Sequence, residues 1–225
     1  MVRIIKKWEP KELTEFRKKG AVSYNELDSS TGAIVKAKIQ QALCAEQFGL
    51  CAYCMCAITP DTMKIEHFYP RNGANKKLGE QKSLDYSNML AVCDGGIKFN
   101  EEHKLSNEGN LSCDVSKGNK LVSLNPSVES DYNQMKIRYG SDGKIHSDSL
   151  NSNFKAEIES VLNLNVPRLV TMRKVAKMRV IDYLKKNGKL TAAKKAERIK
   201  ALKTPKDGLL PAFYDVSAYF LEKLA

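Results

Sequence analysis

The chain of 225 residues has no apolar run near the roughly 18 residues that a membrane-spanning helix requires. Met1-Val2-Arg3 does not begin a secretory signal pattern. These two absences make a soluble, cytoplasmic protein with no membrane partner the expectation. Internal repeats and a low-complexity tail are also missing, which sets aside solenoids and long disordered arms. Histidine is rare, with three in the chain, so acid–base chemistry near neutral pH has few candidates. Acids nearly vanish between Arg168 and Lys206, where Asp182 and Glu197 stand against 14 Lys and Arg. That stretch holds a net +12 while the whole chain holds +11, so the remainder sums to −1. A charge run is ordinarily a solvated helical face. Gathering the whole excess in one stretch points further, to a phosphate backbone whose counterions are released on binding, or to an acidic protein surface.

Apolar residues make up 42 % of the chain, enough for a buried core. The six cysteines, in a reducing compartment, argue for metal binding over disulfides. Residues 8–20 and about 31–48 read as helices, the second with Ile34, Ile39, Ala42 and Leu43 on a loose apolar face. Ala57-Ile58 and Met63-Lys64-Ile65 read as short strands around the Pro60-Asp61 turn, which sets Glu66 and His67 at the end of a hairpin. Stretches 71–85 and 94–112 read as surface loops. Gly140–Lys144 is a hairpin turn between Met135–Arg138 and Lys144–His146. A helix follows with Asn165 as N-cap and Pro167 just inside. Leu169, Met172, Val175, Met178, Ile181 and Leu184 form its core stripe, and Gly188 closes it. Two more helices are expected near 190–203 and 211–224. The fold class is therefore α+β, with a helical segment 1–48, a small core 49–125 and a mainly helical, basic part 126–225.

The chemistry concentrates in residues 51–117. Cys51-Ala-Tyr-Cys54 alone could be redox-active or incidental. With Cys93 and Cys113 it supplies four thiolates for a tetrahedral, structural Zn²⁺ that leaves no open position for water. Cys56 competes as a ligand, but it and Cys44 read better as small buried side chains. Between the cysteines stand Glu66-His67, Asn88 and then Asp114. Phosphodiester hydrolysis needs an activated water, neutralised phosphate oxygens and a stabilised leaving oxygen. A hard divalent cation, Mg²⁺ or Mn²⁺, held by Glu66 and Asp114 suits the last two, and a neutral His67 suits the first. Asn88 can fix the histidine segment. Taken singly, His67 reads as a satisfied histidine, Asn88 as a turn residue and Asp114 as an N-cap; their joint order favours catalysis. His103 and His146 have no such company and read as surface residues. Lys117 is either a phosphate contact or a solvated lysine, and Arg173, Lys174 and Lys177 are the phosphate contacts expected from the basic stretch.

With these residues the chain resembles the HNH (ββα-metal) endonuclease superfamily, and within it the PtuB family of Septu and retron-associated anti-phage systems. The narrower likeness rests on Cys-Ala-Tyr-Cys, Ile-Glu-His-Phe-Tyr-Pro, Tyr-Ser-Asn-Met-Leu and Cys-Asp-x-x-Lys-Gly, with a helical end near Phe213-Tyr214 and Tyr219-Phe220-Leu221. The resemblance implies that Glu66 and Asp114 bind the catalytic metal, His67 is the base and Asn88 the middle letter of HNH. It implies zinc on Cys51, Cys54, Cys93 and Cys113. It also implies partners: DNA or RNA, an ABC-type ATPase (PtuA-like) that restrains the nuclease, and in retrons a reverse transcriptase with its reverse-transcribed DNA. Asp114 stands where the broad family commonly has Asn or His. Two rival readings remain beside it: a non-catalytic zinc module that binds nucleic acid, and a subunit whose basic helices dock an ATPase.

Overall fold

In the computed structural model, which describes Met1 and residues 3–224, Pro10 holds the chain extended at φ −58° and ψ 136° before the first helix, Lys11–Lys18 (α1). The helix expected over 8–20 is shorter for that reason. Tyr24–Asp28 forms a 3-10 turn closed by a capping box between Ser23 and Glu26. Ser30–Glu46 (α2) starts directly on this turn, and Gly32 permits it: a Cβ there would lie 2.1 Å from the Glu26 carbonyl oxygen. The buried face of α2 is Val35, Ile39 and Leu43, spaced i, i+4, i+8, while Ile34 is 64 % exposed. The expected face was thus rotated by one residue at its start.

The hairpin expected between 57–58 and 63–65 does not form. Ala57 instead bridges Leu50, closing the cysteine turn, and Thr59–Thr62 is a separate turn. Lys64–His67 (β1) pairs antiparallel with Met89–Val92 (β2), setting Glu66 opposite Leu90 and His67 opposite Met89. All four residues of β2 are buried, so the distant Met-Leu-Ala-Val run makes the better partner. The two expected loops each contain a short helix. Asn75 caps Lys76–Gln81 (α3) through the Leu78 N–H, and Asp94 starts Ile97–Glu102 (α4) by accepting from Gly96 and Lys98. Local side-chain acceptors, a cap at Asn75 and the upstream Asp94, help start these helices, and six residues are too few to leave a periodic signal.

After Cys113–Lys117 (α5) come Glu129–Met135 (α6) and a second two-stranded sheet, Ile137–Tyr139 (β3) with Ile145–Ser147 (β4), around the expected turn. The remainder is Ser152–Ser160 (α7), Pro167–Asn187 (α8), Ala192–Lys203 (α9) and Tyr214–Leu224 (α10). Asn165 does not cap α8: its side chain bonds both the N–H and the carbonyl of Ile145. The three-residue stripe on α8 is also corrected. A step of three falls short of a full turn by about 60°, so the stripe precesses around the helix. The buried positions are Leu169, Arg173, Ala176 and Val180, and Val175 and Met178 face outward. The molecule is mixed helix and small sheet, with one buried apolar cluster drawing on residues from Met1 to Leu221. Among the described residues no helix is long and apolar enough to cross a membrane.

Candidate metal centre and catalytic cleft

Cys51 and Cys54 sit on a tight turn in which the Cys51 N–H donates to the Cys56 carbonyl (2.9 Å) and the Met55 N–H returns to Cys51 O (3.1 Å). Cys93 directly follows β2, and Cys113 opens α5 in a left-handed conformation (φ 58°) that a non-glycine residue keeps only when its surroundings enforce it. The four ligand atoms lie within 4.8 Å of one another. Sulfur separations are 3.8 Å for Cys51–Cys113 and 3.7 Å for both Cys54–Cys93 and Cys93–Cys113. A tetrahedral zinc with Zn–S bonds of about 2.3 Å has edges of about 3.8 Å. Spacing and chemistry therefore fit zinc. Burial strengthens the fit, because several thiolates in a dry pocket need a cation to offset their charge. Arg168 closes this centre by donating from Nη2 to Gly95 O and Ser112 Oγ, bracing the loops that carry Cys93 and Cys113. Cys44 and Cys56 lie outside the cluster, Cys44 buried and Cys56 half-buried.

The same segments build a second cluster. Tyr53, between Cys51 and Cys54, donates its hydroxyl to Glu66 Oε1 (3.1 Å), and Asp114 is the residue after Cys113. Lys117 Nζ lies 2.7 Å from the same Oε1 and donates to the His67 carbonyl (3.2 Å). Burial first, and the neighbouring Asp114 carboxyl next, push the Glu66 carboxyl well above the usual carboxylate range, against the pull of Lys117. Two mutually repelling carboxyls at the edge of an open cleft are a donor set that a hard divalent cation relieves. Lys117 has a fully buried side chain paired with Glu66, so neither expected alternative, a phosphate contact or a solvated lysine, describes it in this structure.

His67 faces other partners. Its Nε2 lies 2.9 Å from the Ser83 carbonyl, which can only accept, so Nε2 carries the proton and Nδ1 of the neutral ring keeps its lone pair. Burial lowers its pKa to about 4, which keeps the ring neutral at cellular pH. The Tyr24 ring packs edge-on against it at 4.7 Å. Asn88 does not touch the ring. Its side chain accepts from Tyr69 N (2.7 Å) and donates to the carbonyls of Tyr69 and Lys82, fastening the strand end after His67 to the segment whose Ser83 carbonyl holds the ring. Glu66, His67 and Asp114 open together on a cleft of ≈ 310 Å³.

No family model matches the chain. A protein of Escherichia coli, named as a retron Ec83 HNH endonuclease, is 32 % identical over 121 residues, 52 % of this chain and 46 % of that protein. The chain spans about half the length of the curated relative it matches. That partial homology supports a nuclease, a hydrolase of nucleic acid.

The basic stretch is less uniform than its composition. Arg173 is 2 % exposed and donates to the Gly143 and Leu164 carbonyls (3.2 and 2.6 Å), so its place is the core and the expected phosphate contact is corrected. Lys174 is exposed; Lys177 is half-buried and donates to Ser141 O. His103 is exposed and stacked on Phe99, and His146 is half-buried on β4. Sequence reasoning missed Tyr53, Tyr24, Arg71 and Arg168. Tyr53 and Arg71 had a signal, since Tyr53 lies inside the cysteine pair and Arg71 directly follows Ile-Glu-His-Phe-Tyr-Pro; Tyr24 and Arg168 reach their sites from segments without a motif.

Proposed function

We propose that the chain is a metal-dependent HNH endonuclease whose catalytic unit is residues 49–125, with β1, β2 and α5 as its ββα-metal core. The observation that carries this reading is the His67 ring, tied by Nε2 to Ser83 O beside the Glu66–Asp114 pair on one open cleft. A satisfied structural histidine has no need of two carboxyls next to an open cavity. His67 Nδ1 takes the proton of the attacking water, and Asn88 positions the segment that carries His67. Glu66 and Asp114 hold Mg²⁺ or Mn²⁺, which when bound offsets charge on the phosphate and the leaving oxygen. Cys51, Cys54, Cys93 and Cys113 hold a structural Zn²⁺. In-line attack on phosphorus leaves a 5′-phosphate and a 3′-hydroxyl. The likeness to a retron-named protein, with the motif resemblance to PtuB, supports nucleic acid as substrate and an anti-phage complex with a PtuA-like ABC-type ATPase as the setting.

The test is purified protein, with and without a co-expressed ATPase of that type, incubated with plasmid DNA and total RNA plus Mg²⁺ or Mn²⁺. Cleavage should fall on the order of 10²–10⁴-fold in His67→Ala with zinc content unchanged. Undiminished cleavage by that variant removes the mechanism. A second reading, a non-catalytic zinc subunit, is favoured by one observation: Tyr53 and Lys117 already satisfy Glu66 Oε1. Mn²⁺ binding that is insensitive to Glu66→Gln and Asp114→Asn would select it.

A further inference from the structure

Tyr24–Asp28, a turn outside the proposed catalytic unit, forms a wall behind two residues that line the cleft, His67 and Arg71. Tyr24 is buried, and its ring meets the His67 ring edge-on at 4.7 Å. The guanidinium of Arg71 lies over the same Tyr24 ring at 4.5 Å, and Arg71 Nη1 donates to Asn25 Oδ1 at 2.9 Å. The wall is stiff, since Ser23 and Glu26 close its capping box and Gly32 seats α2 directly on it. The other cation near this ring, Lys36, is neutralised by Asp28 at 2.8 Å. Arg71 has no ion-pair partner among the described residues. Among the described residues it is also the one cationic side chain lining the cleft that Glu66, His67 and Asp114 share.

We propose that Arg71, braced on Tyr24 and Asn25, binds the phosphodiester of the nucleic-acid substrate and positions it against His67. The inference rests on the nuclease reading above and adds the substrate contact. An arginine stacked on an aromatic ring is preorganised, so little side-chain freedom is lost when its remaining Nε and Nη2 donors meet phosphate oxygens in a planar fork. Beside it the cleft presents two carboxyls, a neutral ring and the uncharged amides of Asn72 and Asn119, so Arg71 is the side chain there that brings a positive charge of its own to a phosphate. One aromatic ring touches both the base and this arginine, so the substrate contact and the proton acceptor keep a fixed spacing. Lysine has neither the fork nor the stacking plane and should not replace Arg71.

The test separates binding from cleavage. In a His67→Ala background, anisotropy titrations with a labelled DNA duplex and a labelled tRNA across a range of KCl measure affinity and its salt slope. Arg71→Ala should weaken the preferred probe about tenfold or more, as expected for loss of a charge-assisted contact. The slope of log affinity against log salt should become shallower by about 0.7–0.9. Arg71→Lys should recover the slope but not the affinity. Asn25→Ala should fall between, and Tyr24→Phe should bind like the parent. In the active protein Arg71→Ala should raise KM, with zinc content and melting temperature unchanged. If cleavage depends on His67 while Arg71→Ala alters neither affinity, slope nor KM, this inference is overturned and the nuclease reading stands. If cleavage is indifferent to His67, the nuclease reading fails, and the salt slope still decides whether Arg71 meets phosphate.

Discussion

Cys113 and Asp114 are adjacent in sequence, yet they belong to two clusters of metal-type donors that contrast at every point. The cysteine cluster is closed: four soft donors, all buried, with sulfur separations matching a zinc tetrahedron and no side left for water. The carboxylate cluster is open: hard oxygens on a cleft of ≈ 310 Å³, with Asp114 half-buried and a histidine beside them whose Nδ1 is unprotonated. Tyr53 and Lys117 tie the two together, because both donate to Glu66 Oε1 from segments that the cysteines anchor. The contrast teaches a division of labour. In the proposed nuclease, the two short paired strands β1 and β2 suffice to aim the carboxyl oxygens because zinc on the neighbouring cysteines would fix the backbone they hang from.

The contrast breaks most completely at the closed cluster. Cys113→Ser should lose metal and fold together, because structural zinc contributes on the order of 10–16 kcal/mol to small metal-dependent folds. Soluble yield and zinc per chain measure it, and a folded, zinc-replete variant would show that the cluster is not a ligand set. At the junction, Lys117→Met removes the ammonium 2.7 Å from Glu66 Oε1; the buried carboxyl then takes up a proton, and the lost charge-assisted contact should cost about 1.5–3 kcal/mol in urea denaturation. Lys117→Met with Glu66→Gln should recover part of that, since a neutral amide needs neither counter-ion nor proton.

The open cluster should reveal itself through pH. The pKa of His67 is about 4 in the folded protein and ordinary, near 6.5, in the unfolded chain. Below about 6.5 protons therefore favour the unfolded state. The stability that a neutral His67 allows is complete above that pH and is lost as pH falls towards 4, by about 3 kcal/mol. Urea denaturation of the wild type and His67→Ala at several pH values isolates the term, which should be missing from the variant. The smallest expected effect is Tyr53→Phe, which removes one hydrogen bond to Glu66 and should cost about 1 kcal/mol while zinc stays bound.

Legibility in the sequence followed the range of the physics involved. Cys51, Cys54, Glu66 and His67 are held by local turns and one strand end, so their order could be read. The partner of β1 could not: Met89–Val92 is chosen by burial, a long-range property, over the nearer Ala57-Ile58. Arg173 shows the reverse error. Its charge suggested a surface, and two carbonyl oxygens and the α8 packing face hold it inside. Tyr24 carries no motif, and only the folded chain brings it to His67; Arg71 directly follows the histidine motif, yet its stacking on Tyr24 is visible only in the fold.

The most direct test of the two-cluster account is graded chelation. Dialysis against EDTA, followed by elemental analysis, cleavage assay and circular dichroism, should remove cleavage while about one zinc per chain and the fold remain, as expected for a closed thiolate site beside an open oxygen site. Adding back Mg²⁺ or Mn²⁺ alone should restore cleavage. Loss of zinc in step with activity, or full cleavage by the dialysed protein, would contradict the account.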